Sequence, residues 1–252
     1  MIGCNCRVCN SPNPANNRLR TSVLLQLNDG KKILIDTTPD LRTQLLRANI
    51  TRVDAVLVTH DHADHTHGMD DLRPLCRLNQ QIIPIHATAH TAAALRRKFD
   101  YVFDRERLYP GQKILGGGIP TLSLQEFDYG QLTMAGHEFE TFPLPHGHFT
   151  TAGFRQGKLA YLIDCHDVPK ELAHRLRDAQ LDWLVLDCVQ PDPHETHLGF
   201  AKACEILTLI RPKRAGLIHM NHAWDHEDLT RALKEAGMAW AIPLKDGDVL
   251  QY

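Results

Sequence analysis

One stretch of ten residues constrains the fold of this chain more than any other. Positions 56–65 read Val-Leu-Val-Thr-His-Asp-His-Ala-Asp-His. The apolar residues at its start, with Val53 and Ala55 before them, predict a buried β-strand. Side chains of the types that bind metals follow the end of that strand within six positions, and they are His60, His62, Asp64 and His65.

The spacing of these four side chains indicates two points of convergence. His60 and His62 are two residues apart, so in extended backbone both leave the same side of the chain. Asp64 and His65 follow after the chain has turned, and they can face a second point nearby. Imidazoles with a carboxylate suit Zn²⁺ or a similar transition metal better than Ca²⁺ or Mg²⁺. We therefore expect a dinuclear site that residues further along the chain complete.

The composition limits the class of protein. With 252 residues, 43% of them hydrophobic, the chain can form one large domain or two small ones, and we interpret residues 1–252 as a single domain. The net charge of −2 provides no overall basic field for binding nucleic acid. No apolar run approaches the ~18 residues of a membrane span, and no signal-peptide core is present. These features predict a cytoplasmic protein.

Three of the seven cysteines crowd the start of the chain. Cys4, Cys6 and Cys9 lie within six residues, and the other four are scattered. Without an export signal, metal binding is a better interpretation of this cluster than disulfides. Thiolates at this density suit a tetrahedral structural Zn²⁺ that takes one more ligand from elsewhere. We therefore interpret residues 1–17 as a zinc-binding loop.

Hydrophobic periodicity and turn signals predict two strand-rich halves, in which helices follow several of the strands. The predicted strands are 21–28, 32–35, 53–59, 82–86, 120–127, 131–134, 138–143, 151–156, 158–163, 183–187, 215–218, 239–242 and 248–251. The predicted helices are 40–49, 68–78, 88–99, 169–179, 198–210 and 226–236.

Later strands also end in residues that can bind a metal, namely His146, Asp164 and His219. Ligands gathered from strand ends that are far apart in sequence are typical of an active site. A carboxylate has two oxygens to share, so Asp164 can bridge two metals. One metal can take His60, His62 and His146, and the other Asp64, His65 and His219.

At this point the chain resembles a known family. The sequence T-H-D-H-A-D-H at 59–65 matches the H-x-H-x-D-H motif of the metallo-β-lactamase superfamily, and the three later ligands fall at that family's later positions. The resemblance implies an α+β fold, a four-layer αββα sandwich. Within the superfamily the chain most resembles the accessory phosphodiesterases of the carbon–phosphorus lyase pathway, which hydrolyse phosphoribosyl 1,2-cyclic phosphate.

The resemblance implies further roles. In that group a C-x-C-x-x-C segment binds a structural zinc together with a His three residues after the last active-site His, which here is His222. The group also has a His downstream of an M-D-C-like strand end. Here L-D-C at 186–188 is followed by T-H-L at 196–198, so the resemblance points to His197, which is expected to protonate the leaving group. The two active-site cations are expected to be Zn²⁺ or Mn²⁺, with a bridging hydroxide as nucleophile that Asp64 orients besides acting as a ligand.

Two departures from the family pattern bear on the fold and on specificity. Relatives begin with an extra strand and a glycine-rich turn before the I-G-C segment. Either this strand is absent here, which would expose an edge of the first sheet, or the given sequence starts later than the protein does. Relatives usually carry a small residue or Thr after the bridging Asp, whereas this chain has Asp164-Cys165-His166-Asp167. For His67, His148 and His166, which lie near the ligands in sequence, three roles stay open: contact with substrate, a hydrogen bond that supports a metal ligand, or no part in the site.

Other functions stay open from the sequence. The chain can be a metallo-hydrolase of another bond, such as a thioester, a lactone, a β-lactam or an RNA phosphodiester, since a fold does not fix a substrate. It can also be a non-catalytic, metal-binding accessory protein of a biosynthetic pathway. The full ligand set with His197 favours an enzyme, and the near-neutral charge argues against nucleic acid. We expect a small phosphodiester as the substrate and no binding to a membrane. The chain can also form a homodimer.

Overall fold

The structure, a computed structural model, describes residues 1–108, 110–111 and 118–252. The chain divides into two compact units. The central unit is Arg20–Glu138, and the terminal unit is Met1–Leu19 together with Phe139–Tyr252. The cysteine-rich loop therefore belongs to the same unit as the second half of the chain. The single-domain interpretation stays a prediction.

The central unit is built on a five-stranded sheet in the order β1-β2-β3-β4-β5, in which β1 and β2 are antiparallel and the later pairs are parallel. Its strands are β1 Val23–Gln26, β2 Lys32–Ile35, β3 Ala55–Leu57, β4 Ile83–Thr88 and β5 Leu122–Phe127, and β6 is Gly130–Met134. Its helices are α1 Leu41–Arg47, α2 Ala63–Thr66, α3 Arg73–Asn79, α4 Ala89–Lys98, α5 Asp100–Phe103 and α6 Arg105–Leu108.

The core of the central unit lies between the sheet and its helices. Val56 of β3 and Ile85 of β4 are fully buried there, with Leu41 of α1 and Leu95 of α4. Strand β3 is buried along its whole length because parallel strands are covered on both faces. This explains why its sequence is a continuous apolar run, and the end of that run delivers the histidine motif.

The terminal unit carries the strands β7 to β12 side by side in chain order. Strands β7, β8 and β9 are antiparallel, whereas β9 to β12 run parallel. They are β7 His137–His146 (its first two residues in the central unit), β8 Phe149–Gln156, β9 Leu159–Leu162, β10 Trp183–Asp187, β11 Arg214–Ile218 and β12 Ala241–Pro243. The helices are α7 Lys170–Asp178, α8 Phe200–Ile210 and α9 His226–Glu235.

The structure corrects two sequence predictions. Residues 248–251 are not a strand, because Asp248 closes a turn with Lys245 through its backbone N–H and its carboxylate. Residues 68–78 are not one helix, since a 3₁₀ turn over Met69–Leu72 precedes α3. Pro74 lies in the first turn of α3, where its missing N–H costs nothing, so the sequence favours a new helix start there. No helix in the described ranges has the length and apolar character of a membrane span.

Candidate metal centre

In the central unit the H-x-H-x-D-H motif follows β3 directly. The ring of His60 lies with its centroid 4.4 Å from that of His62 and 4.3 Å from that of His65. His62 has extended backbone and precedes the short helix α2, which turns Asp64 and His65 back toward the strand end. Nε2 of His65 lies 3.6 Å from a carboxylate oxygen of Asp64. The four predicted ligands of this unit therefore gather at one place.

Asp36 supports this cluster from the end of β2. Its fully buried carboxylate accepts hydrogen bonds from the backbone N–H and the hydroxyl of Thr59, both at 2.8 Å, and lies 2.8 Å from Nδ1 of His65. Burial raises the pKa of the Asp36 carboxyl, although the charge and hydrogen bond of His65 oppose the shift. Asp36 also has φ +62°, a left-handed conformation that L residues seldom adopt outside well-determined sites.

The hydrogen bonds fix the tautomers of two of these histidines. A carboxylate only accepts, so Nδ1 of His65 carries the proton that it donates to Asp36. The hydroxyl of Thr59 donates to Asp36, so it accepts from Nδ1 of His60 at 3.0 Å. Both rings then keep a lone pair on Nε2. This arrangement suits a metal, because ligand histidines usually donate their other ring N–H to an oxygen.

In the terminal unit the three later predicted ligands also lie at strand ends. His146 closes β7, and its Nδ1 donates to the carbonyl of Thr196 at 2.7 Å, which again leaves Nε2 as the acceptor. Asp164 and His219 follow β9 and β11 with φ +49° and +65°. Nδ1 of His219 lies 3.4 Å from a carboxylate oxygen of Asp164. Strained backbone at both positions is typical of a functional site.

His197 lies among the ligands of the terminal unit. Its ring stacks on that of His219 with centroids 5.1 Å apart and meets that of His146 edge-on at 4.8 Å. Its Nδ1 lies 2.8 Å from the buried carboxylate of Asp187. Burial raises the pKa of the Asp187 carboxyl, and the hydrogen bond with His197 opposes this. The geometry is compatible with a proton donor and with a metal ligand, since donor atoms of Asp164, His197 and His219 lie within 4.8 Å of one another.

The cysteine loop forms a second cluster within the terminal unit. Donor atoms of Cys4, Cys6, Cys9 and His222 all lie within 4.8 Å of one another. Nδ1 of His222 is 3.3 Å from the Cys4 sulfur and 3.6 Å from the Cys6 sulfur. The pKa of the Cys6 thiol is lowered to about 6, chiefly by the hydrogen bond from the backbone N–H of Cys9 and next by the hydrogen bond with the His222 side chain. The donor set and its geometry suit the tetrahedral zinc that the sequence predicts.

Two residues of functional interest, Asp36 and Asp187, were not predicted from the sequence. Each follows an apolar run at a strand end, I-L-I-D at 33–36 and L-V-L-D at 184–187, which is the signal that identified His60 and Asp164. The guanidinium of Arg73 lies 3.4 Å from the carboxylate of Asp70 and also donates to the Gly118 carbonyl. The ring of His67 lies edge-on to that of Phe99.

Comparison with known proteins decides the family. The family model for the beta-lactamase superfamily domain matches residues 31–220, about three quarters of the chain. The chain belongs to the metallo-β-lactamase superfamily. A crystal structure described as a new diphosphatase from the PhnP family is 34% identical, with a TM-score of 0.88 over 100% of this chain and 91% of that one. The chain is thus PhnP-like, and its α+β class and predicted metallo-β-lactamase fold are confirmed. It is a metal-binding hydrolase of this superfamily.

Two other relatives differ in what they show. An octanoyltransferase of Porphyromonas gingivalis is 34% identical over 228 residues, which are 88% of this chain and 43% of that protein. The chain therefore spans less than half the length of this curated relative. Zinc-bound PqqB from Methylobacterium extorquens has a TM-score of 0.74 over 100% of this chain and 95% of that one, and at 18% identity it shows the fold alone.

Proposed function

We propose that this metallo-β-lactamase superfamily protein is a dinuclear, metal-dependent phosphodiesterase that acts on a small cyclic phosphodiester such as phosphoribosyl 1,2-cyclic phosphate. The proposed ligands of one cation are His60, His62 and His146, those of the other are Asp64, His65 and His219, and Asp164 bridges them. Zn²⁺ and Mn²⁺ are the candidate cations. The partner is then a small anion rather than a nucleic acid or a membrane.

The tautomers of the ligand histidines carry this proposal. His60, His65 and His146 each have Nδ1 engaged with an oxygen, and each therefore keeps a lone pair on Nε2. A metal site requires this arrangement of each ligand histidine, whereas a cluster of surface histidines does not require it. Here three histidines on different elements share it. The likeness to a PhnP-family diphosphatase supports phosphate chemistry.

The chain's own residues supply orientation and a proton. Two divalent cations, when bound, acidify a water to serve as nucleophile at neutral pH and neutralise charge on the phosphoryl oxygens. Asp64 is proposed to orient the nucleophile. The leaving oxygen needs a proton, and His197 is proposed to give it from Nε2, since its Nδ1 faces Asp187. Asp187 holds the ring in that orientation and stabilises the protonated form.

The cysteine cluster is proposed to bind a third metal, a structural Zn²⁺ held by Cys4, Cys6, Cys9 and His222. His222 lies three residues after His219, so this zinc would connect the N-terminal loop to the end of β11. A buried hydrogen bond from Asn16 to Asp225 connects the same N-terminal loop to the start of α9 without metal. The proposed role of this cluster is therefore to stabilise the strand end that carries His219, and it takes no part in the reaction.

A second candidate function is the hydrolysis of an acyl bond such as a thioester. The observation that favours it is the match to part of a protein named an octanoyltransferase, because acyl transfer and acyl hydrolysis attack the same kind of carbonyl carbon. The cations would then polarise a carbonyl oxygen instead of phosphoryl oxygens.

A substrate panel separates the two functions. The protein, loaded with Mn²⁺ or Zn²⁺, is assayed on bis(p-nitrophenyl) phosphate, ribose cyclic phosphates, 2′,3′-cyclic nucleotides, a dinucleoside diphosphate, an octanoyl thioester and a lactone. The proposal predicts turnover of phosphodiesters with much slower acyl hydrolysis. Turnover of the thioester alone would replace it with the second candidate.

A further inference from the structure

Two histidines outside the proposed ligand set have the opposite hydrogen-bond arrangement. The backbone N–H of Gly147 donates to Nδ1 of His166 at 3.1 Å, and that of Thr196 donates to Nδ1 of His194 at 3.2 Å. A backbone N–H can only donate, so both Nδ1 atoms are acceptors and the proton of each neutral ring is on Nε2. Nε2 of these two rings therefore carries an N–H donor, whereas Nε2 of His60, His65 and His146 has a lone pair.

Both rings lie beside the proposed metal ligands of the terminal unit. His166 is two residues beyond Asp164, and its backbone N–H donates to the carbonyl of Pro145 at 2.9 Å, next to His146. His194 meets the ring of His197 edge-on, with centroids 5.2 Å apart. His166 is partly exposed and His194 is exposed, so a ligand can reach both.

The backbone that anchors the two rings is itself tightly packed. Gly147 has φ +59°, and a Cβ there would lie 2.9 Å from the methyl group of Thr196. The two segments therefore touch, and each directs one N–H to one imidazole. Thr196 also accepts the hydrogen bond from His146. Because one packed junction holds a proposed ligand and both donor histidines, it fixes the donors relative to the metal ligands of this unit.

We propose that His166 and His194 bind phosphoryl oxygens of the substrate that do not take part in the reaction, and so determine specificity. This rests on the proposed phosphodiesterase function. Two fixed N–H donors suit a substrate that carries several phosphoryl oxygens, such as a diphosphate ester or a phosphorylated cyclic phosphodiester. A thioester or lactone offers a single carbonyl oxygen at the reacting centre and would leave these donors unused. Neutral donors also bind an anion without first gaining a proton.

Paired substitutions separate the N–H donor from the ring. His166→Phe and His194→Phe keep a ring and remove the donor, whereas His166→Gln and His194→Gln place an amide N–H near the position of Nε2. His174→Phe, on the exposed face of α7, is the matched control. Each Phe variant should raise KM for the phosphodiester about tenfold, as for one lost hydrogen bond to an anion, with kcat changed by less than about twofold. The Gln variants should recover most of the loss.

A binding measurement keeps this inference distinct from the proposed function. Calorimetric titration of the metal-loaded protein with inorganic phosphate should show about tenfold weaker binding in each Phe variant and none of this loss in His174→Phe. If the wild type turns over no phosphodiester, the proposed function fails, and the phosphate affinities still decide whether these histidines bind anions. Unchanged KM and unchanged phosphate affinity in both Phe variants would overturn the inference. So would ¹⁵N spectra that place the proton of either ring on Nδ1.

Discussion

Nδ1 of His197 lies 2.8 Å from Oδ2 of Asp187, the last residue of β10. The same oxygen accepts the backbone N–H of Cys165 at 3.2 Å, whereas Oδ1 is buried and receives no hydrogen bond from the described part of the chain. A buried carboxylate with so few donors retains its attraction for a cation. The pair can therefore stabilise a protonated imidazole, and its geometry directs the other ring nitrogen away from Asp187.

His197→Ala should lower kcat for a phosphodiester with an alkoxide leaving group by about a hundredfold, because general acid catalysis contributes on that order. The loss should be much smaller with a p-nitrophenolate leaving group, which needs no proton. Elemental analysis of the variant should find both active-site metals retained. A variant that loses a metal would instead make His197 a ligand.

Asp187→Asn should also lower kcat by about a hundredfold, because an amide can donate to Nδ1 of His197 and so favour the wrong tautomer. The double variant Asp187→Asn/His197→Ala should be no slower than His197→Ala alone, since the two residues act as one unit. Steady-state kinetics of the three proteins tests this. Losses that multiply in the double variant would contradict a role of Asp187 through His197.

The sequence predicted the positions of the proposed ligands better than the details around them. The apolar run before His60 is buried on both faces, so a strand and its end could be read without knowledge of its neighbours. Asp187 and Asp36 end similar runs, but the partners that reveal their roles come from residues folded against them. For Asp36 these partners are Thr59 and His65, which are more than twenty residues away in sequence.

Other features could not be predicted from the sequence for physical reasons. The positive φ of Asp164 and His219 could not be predicted from the sequence. Asp and His are enriched among the non-Gly residues with positive φ, but the great majority of Asp and His residues have negative φ. The tautomers of His166 and His194 depend on single backbone N–H groups. Residues 248–251 place two apolar side chains, Val249 and Leu250, between polar ones, yet they follow the turn at Lys245–Asp248 and join no ladder in the described residues.

Cys4→Ser and Cys6→Ser should each remove one zinc per chain and lower the melting temperature by about 10 °C, which for a chain of this size is roughly 3–5 kcal/mol. Cys204→Ser, a partly buried cysteine outside the cluster, is the control. Elemental analysis and calorimetry measure the two effects. Full zinc content in both cluster variants would show that these thiols hold no metal.

The stability contributed by Asp225 should depend on pH. Burial by itself raises the pKa of Asp225, but hydrogen bonds from the Glu227 backbone and from Asn16 lower it below its usual value. The unfolded state then binds more protons in acid, so the contribution is present above about pH 4 and is lost as pH falls through the folded pKa. Asp225→Ala should cost about 1–2 kcal/mol at pH 7, as for a lost helix N-cap.

Denaturant unfolding of wild type and variant at pH 7 and below pH 3 tests this sign. The difference in unfolding free energy between them should shrink on acidification. Asp225→Asn can still cap α9 without titrating, and it should lose less stability than Asp225→Ala at pH 7. A difference that grows in acid would contradict the assignment.

The most direct test of the proposed dinuclear phosphodiesterase is the rate of bis(p-nitrophenyl) phosphate hydrolysis as Mn²⁺ or Zn²⁺ is titrated into chelator-treated protein, with bound metal measured at each point. Activity should rise until two cations occupy the active site, in addition to the cysteine-bound zinc, and Asp164→Ala and His146→Ala should abolish it. Absence of phosphodiester turnover at every metal loading, or full activity with neither of these cations bound, would contradict it.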